Sequence, residues 1–181
     1  MSTTQWILNL VLLGWVLTRN LGTRPVSRTT FVTPLVVVTA AAAVFLRHLP
    51  TAGHDLWLEG TGVAAGIVLG ALTAALTRVR PRSDGAVVIT AGAAFALVWV
   101  LAIGGRIAFA EWATGSGART VAEFSMRHHI TGADAWTAAF VLMALAMVLS
   151  RTAASGLSAL AARRQLHRSA AKFAARRQVA A

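Results

Sequence analysis

The chain has 181 residues, of which 56% are hydrophobic and 13% charged, and its mean hydropathy is +0.65. A soluble domain carries about 25% charged residues, so this chain has too little polar surface for a cytosolic enzyme and too many apolar residues for intrinsic disorder. A net charge of +11 would suggest nucleic acid in a soluble domain; between long uncharged blocks it reads as the basic surplus of membrane-protein loops, with no nucleic-acid partner.

Five uncharged blocks follow along the chain: 1–18 before Arg19, 29–46 between Arg28 and Arg47, 60–77 between Glu59 and Arg78, 85–105 between Asp84 and Arg106, and 135–150 between Asp134 and Arg151. A helix needs about 20 apolar residues to cross the hydrocarbon core, with roughly 17 tolerable. The last block is the shortest, but Asp134 and Arg151 at its ends can reach the headgroups. The blocks predict an all-α polytopic membrane protein. Residues 1–150 form a bundle of five transmembrane helices, and 151–181 form a basic, helical cytoplasmic tail.

Met1–Gln5 carries no basic residue, and the first arginines follow the apolar run, so the first block is expected to be retained as a span and not cleaved as a signal peptide. Asn9 within it reads as interhelical glue. Arg19, Arg24 and Arg28, then Arg78, Arg80 and Arg82, then the tail with Arg151, Arg163, Arg164, Arg168, Lys172, Arg176 and Arg177 hold most of the 17 basic residues. Five spans put these three regions on one side. The positive-inside rule then gives N-terminus out and C-terminus in, across a bacterial inner membrane. The bacterial source is read from the bias toward Arg and Ala, which suggests a GC-rich genome. Trp6, Trp57 and Trp112 fall near outer interfaces, where amphipathic rings anchor spans.

The third block contains Gly62, Gly66 and Gly70 at i, i+4 spacing, continued by Ala74. Small residues in such a ribbon let helix backbones approach closely. It packs either against another span of the same chain or against a second copy or a membrane protein partner. Pro34 lies near the inner end of the second block, so no span is clearly broken midway.

Residues 109–132 form the longest outer connection. Thr120-x-x-Glu123 is a capping-box pattern expected to start a short helix through Arg127, with Val121, Phe124 and His128 on one face. Thr131-x-x-Asp134 is a second such pattern, placed to start the fifth span. In the tail, Leu166, Ala170 and Phe173 share a stripe, while the basic residues are spread around the helix. Contact with anionic headgroups or a cytoplasmic partner is the expectation there.

The absence of Cys removes disulfides, thiolate metal sites, iron–sulfur clusters and CxxCH haem attachment. His48, His54, His128 and His129 map to the outer side, with Asp55, Glu59, Glu111, Glu123 and Asp134. They are candidate metal or haem ligands, although no spacing matches a known ligand pattern. No GxSxG, HExxH or GxGD motif is present, so no catalytic residue is assigned and no cofactor is expected. The uncharged blocks also lack the midplane ionisable groups that carriers use. Arg106 is the basic residue closest to a span on the outer side. It either reaches the headgroups or pairs with Glu59 or Asp134 in an outer-face polar cluster.

Thr23-Arg24-Pro25-Val26-x-Arg28 followed by Pro34-Leu35, and Trp99 with Arg106, resemble the CcdC-like family of small bacterial multi-spanning membrane proteins. Gly104-Gly105-Arg106-Ile107-Ala108-Phe109 through Ile130-Thr131-Gly132 and Ala135-Trp136-Thr137 look like its actinobacterial members. The resemblance covers roughly residues 1–150. It implies a membrane location and a link to cytochrome c maturation, in which a chain without Cys has no thiol-based role. The function expected is that of a non-catalytic accessory or scaffold component. The alternatives are an outer-face metal or haem binding protein and a small-solute transporter.

Overall fold

The computed structural model describes residues 22–45, 53–82 and 86–179, with the helical Ile7, Val11, Gly14 and Thr18. Most of the expected first span, including Trp6 and Asn9, lies outside the described residues, as do His48, the Arg28 side chain and the side chains beyond Arg168. Among the described residues the helices are α1 (Arg28–Phe45), α2 (Asp55–Ala75), α3 (Ala93–Thr114), α4 (Ala118–Arg127) and α5 (Ala133–Val179). The strands are β1 (Gly22–Pro25), β2 (Thr77–Pro81) and β3 (Val87–Ala91).

Three helices are long and apolar enough to cross a membrane: α2, α3 and the stretch Ala133–Leu166 of α5. At 1.5 Å per residue α2 rises about 31 Å, which matches a hydrocarbon core of about 30 Å. The apolar part of α1, Thr29–Ala43, is shorter. Pro34 lies inside α1 without ending it.

The sheet corrects the all-α expectation. β1, β3 and β2 form a three-stranded antiparallel sheet in that order, with Gly22 opposite Ala91 and Thr77 opposite Ala91 on the other edge of β3. Residues 87–91 had read as the start of the fourth span. Their β-branched run, Val87-Val88-Ile89-Thr90, favours a pleated strand. Arg78-Val79-Arg80 alternates as a half-buried partner should, and Arg82 N–H donates to Ala86 O at 2.7 Å to close the hairpin. Pro25 and Pro81 sit on the two edge strands, where a missing N–H costs no ladder bond. Gly92, with extended backbone, separates β3 from α3. As a result α3 is shifted toward the C-terminus and takes Arg106 and Glu111 into its length.

α2 and α5 run parallel. Gly62 lies against Ala139, Gly66 against Met143 and Gly70 against Met147 and Ser150, so four residues along one helix match four along the other. α3 runs the opposite way, from the sheet to α4. α5 is one continuous helix of 47 residues, so the basic tail extends the fifth helix without a break at residue 150. On α5, Ser155, Ala159 and Ala162 are buried. Val87 of β3 packs on Ala159 and Ala162, with Val26, Phe31, Val79 and Leu166 around them. The stripe expected through Leu166 therefore begins as the surface that carries the sheet. Between this cluster and the glycine ribbon, the Arg151 guanidinium lies 4.5 Å from the centre of the fully buried Phe95 ring.

Candidate functional site

The end of the bundle opposite the sheet gathers most of the polar residues singled out above. α4 spans Ala118–Arg127 and starts at Gly117 with no side-chain cap. The expected capping box is therefore not used: Thr120 lies inside the helix, and Glu123 pairs with Arg119 at 2.8 Å on the exposed surface. Gly117 is buried where a Cβ would run into the Trp112 ring, and that close approach sets the helix start. The buried positions are Gly117 and Ser125, with Val121 half-buried between them. Phe124 and His128 are exposed and pack on each other with their rings tilted by 41°, ring centres 4.3 Å apart.

The helix ends in a left-handed turn. Ile130 N–H donates to Ser125 O at 2.8 Å and His129 N–H to Met126 O at 3.3 Å, the paired bonds that close a helix C-terminus. His129 takes the left-handed position, at φ 52°, where glycine is usual. The Gly53–His54 turn docks on it. Gly53, at φ +57°, has no room for a Cβ beside the His129 carbonyl. His54 N–H donates to His129 O at 3.1 Å, and His54 Nδ1 lies 3.0 Å from His128 O. A carbonyl only accepts, so Nδ1 carries a proton and donates it here. The His54 and His129 rings are 5.8 Å apart, edge to face.

Asp55 opens α2 and is fully buried. Its Oδ1 accepts the Thr131 N–H at 2.9 Å and its Oδ2 accepts the Thr131 hydroxyl. Thr131 thus gives its hydroxyl to another helix instead of capping α5. One turn on, Glu59 is 5% exposed, and its Oε1 has no hydrogen-bond partner among the described residues.

The expected cluster of Glu59, Arg106 and Asp134 does not assemble as an ion pair. Among the described residues no salt bridge joins Arg106 to either acid, and Arg106 and Asp134 are exposed. The shift of α3 supplies the reason: Arg106 stands about 12 Å before the end of its helix, whereas Asp134 is in the first turn of α5. Among the described residues no three His, Asp or Glu side chains converge as metal ligands.

An aromatic cluster that the sequence reading missed ties α3, α4 and α5 together. Phe109 lies 5.1 Å from Trp136 and 5.2 Å from Phe140, and Trp136 Nε1 donates to Ser125 Oγ at 3.1 Å. The recurrence of Phe109 with Trp112 and of Trp136 with Phe140, at helical spacing, was its only signal. Trp57 is exposed and Trp112 less so, as interfacial anchors would be.

The glycine ribbon faces α5 of the same chain. A Cβ at Gly62 would lie 2.5 Å from Ala139 O, and at Gly66 and Gly70 it would strike Met143 O and Ser150 Oγ. Ala74 is half-buried. No family model, curated protein or solved structure matches the chain.

Proposed function

We propose that the chain is a non-catalytic accessory or scaffold component of a bacterial inner membrane, related to the CcdC-like family. In this reading it crosses the bilayer five times, with the N-terminus outside and the arginine-rich sheet end and tail inside. The observation that carries the scaffold role is the continuity of α5. Its 47 residues span about 70 Å, more than twice the hydrocarbon thickness of about 30 Å. The half that lies along the glycine ribbon is locked to α2, and the other half bears the sheet and the basic residues. Such a rod couples a membrane anchor rigidly to a cationic surface beyond it, which suits holding an acidic partner at a fixed place.

Topology is tested by cysteine labelling, which the native chain permits because it has no Cys. Arg119→Cys should react with an impermeant maleimide on intact cells, and Arg163→Cys only after permeabilisation; the reverse pattern overturns the orientation. The scaffold role is tested by photo-crosslinking from positions 164 and 168 in cells, with metal analysis of the purified protein. One discrete adduct and no bound metal is the expected result. Stoichiometric metal or haem, lost on His54→Ala, would defeat it.

A small-solute transporter is the second reading, favoured by Glu59. A buried carboxylate oxygen with no hydrogen-bond partner among the described residues, in the second turn of an apolar helix, is the kind of group that carriers use to bind and release a cation. Uptake of cations into proteoliposomes, abolished by Glu59→Gln, would establish it in place of the scaffold.

A further inference from the structure

α2 ends at Ala75 and β2 begins at Thr77, while β3 ends at Ala91 and α3 begins at Ala93. Two apolar helices thus run into paired strands with almost no linker, and Thr77 faces Ala91 at the junction. A bilayer drawn around α2 and α3 puts the first rungs of the sheet in the headgroup layer, which adds roughly 5–7 Å on each side of the hydrocarbon.

The two faces of this sheet differ. Thr77, Val79, Val87 and Ala91 share the face turned to α5, and Thr77, Val87 and Ala91 are buried. Side chains alternate along strands, so the register sets the other face. Thr23, Thr90 and Arg78 form one cross-strand row and Pro25, Val88 and Arg80 the next. Arg78 and Arg80 are exposed, and the hydroxyls of Thr23 and Thr90 meet at 2.9 Å. No acid is among these six residues.

We propose that this face, on which Thr23, Pro25, Arg78 and Arg80 are exposed, binds the headgroups of anionic phospholipids. Each guanidinium presents a planar fork that matches two oxygens of a phosphodiester. The Thr23–Thr90 pair adds a hydroxyl donor beside Arg78, because one of two mutually bonded hydroxyls keeps its proton for an outside acceptor. The chemistry fits a membrane-bound phosphate diester better than a soluble anion, because the row nearest the apolar helices holds both the arginine and the hydroxyls. The proposal rests on α2 and α3 spanning a bilayer.

The test uses the full chain in neutral detergent, titrated with short-chain phosphatidylglycerol, short-chain phosphatidylcholine or inorganic phosphate, with the rise in Tm giving an apparent affinity. Phosphatidylglycerol should stabilise the protein, and the other two should not. An exposed arginine near a membrane surface contributes about fivefold in binding, so Arg78→Gln with Arg80→Gln should weaken the affinity by about tenfold or more. Thr23→Val with Thr90→Val, which keeps every charge, should weaken it less but measurably. Arg119→Gln, at the other end of the molecule, should leave it unchanged.

Inorganic phosphate matching the lipid would overturn the assignment to a lipid. An equal loss from Arg163→Gln with Arg164→Gln would show that the lipid responds to the general positive field of this end, and the sheet surface would not be a site. A protein that stays monodisperse once detergent is removed would instead refute the membrane reading itself.

Discussion

Asp55 grips Thr131 with both carboxylate oxygens, taking the backbone N–H at 2.9 Å and the hydroxyl as well. The first residue of α2 is thereby fastened to the turn that launches α5, and the two helices leave this point side by side. The glycine ribbon then holds them together along their length. A fully buried carboxylate is tolerable here because two donors meet it.

Removing that grip should be costly. Asp55→Ala removes the charged acceptor of both Thr131 donors, and should destabilise the protein by about 3 kcal/mol. Thr131→Val removes one of the two bonds and should cost about 1 kcal/mol. The double variant should be less destabilised than the two losses added, because each single change strands the other partner. Denaturant unfolding in detergent measures all three; strict additivity would show that the two residues do not act together.

The glycines offer a comparison within one helix. Gly66→Ala drives a methyl into Met143 O and the Ala146 side chain, and should lower stability by about 1–3 kcal/mol. At Gly60 a methyl meets nothing within 4 Å, so Gly60→Ala should be neutral or stabilise by up to about 1 kcal/mol through helix propensity. Thermal melts of the two variants with opposite signs would confirm the ribbon. Equal melts would remove it.

His129 occupies a conformation that suits glycine. His129→Gly should raise stability by roughly 0.5–1 kcal/mol by relieving the left-handed backbone, while His129→Val should lower it by more than that. Both variants keep the carbonyl that receives His54 N–H, so the readout reports the turn. A drop in stability for His129→Gly would mean that the imidazole itself makes an interaction worth more than the strain.

Glu59→Gln keeps the shape of the side chain and removes its charge. With Oε1 buried and without a hydrogen-bond partner among the described residues, the substitution should raise stability by about 1 kcal/mol. A loss on thermal melting would show that the carboxylate holds a ligand, and would strengthen the transport reading.

Arg106 is exposed on α3 and makes no salt bridge to Glu59 or Asp134. Arg106→Ala and Arg106→Gln should therefore both melt like the parent in detergent. If Arg106→Ala melts lower and Arg106→Lys recovers part of the loss, a charge partner exists and the outer-face cluster is restored.

Composition alone determined that the chain is built of long apolar helices. α2 and the first half of α5 fall where the hydrophobic runs put them, and a short α4 forms in the expected connection, because helix formation answers to local periodicity; α3 starts later than its apolar block and α4 buries a different face from the expected stripe. Spacing also exposed the glycine ribbon, but its partner had to be supplied by the fold: nothing in Gly62, Gly66 and Gly70 distinguishes Ala139 and Met143 of the same chain from a second copy. The sheet was hidden for a related reason. Val87–Ala91 is as apolar as a span, and only pairing with Gly22–Pro25, far away in the chain, and with Thr77–Pro81 makes it a central strand. That misreading displaced α3 and with it the depth of Arg106. Thr131 looked like a cap because Thr-x-x-Asp is a local pattern, whereas the Asp55 carboxylate reaches it across 76 residues of sequence. Local pattern sets which segments become helices; long-range hydrogen bonds and close backbone contacts decide which of them meet.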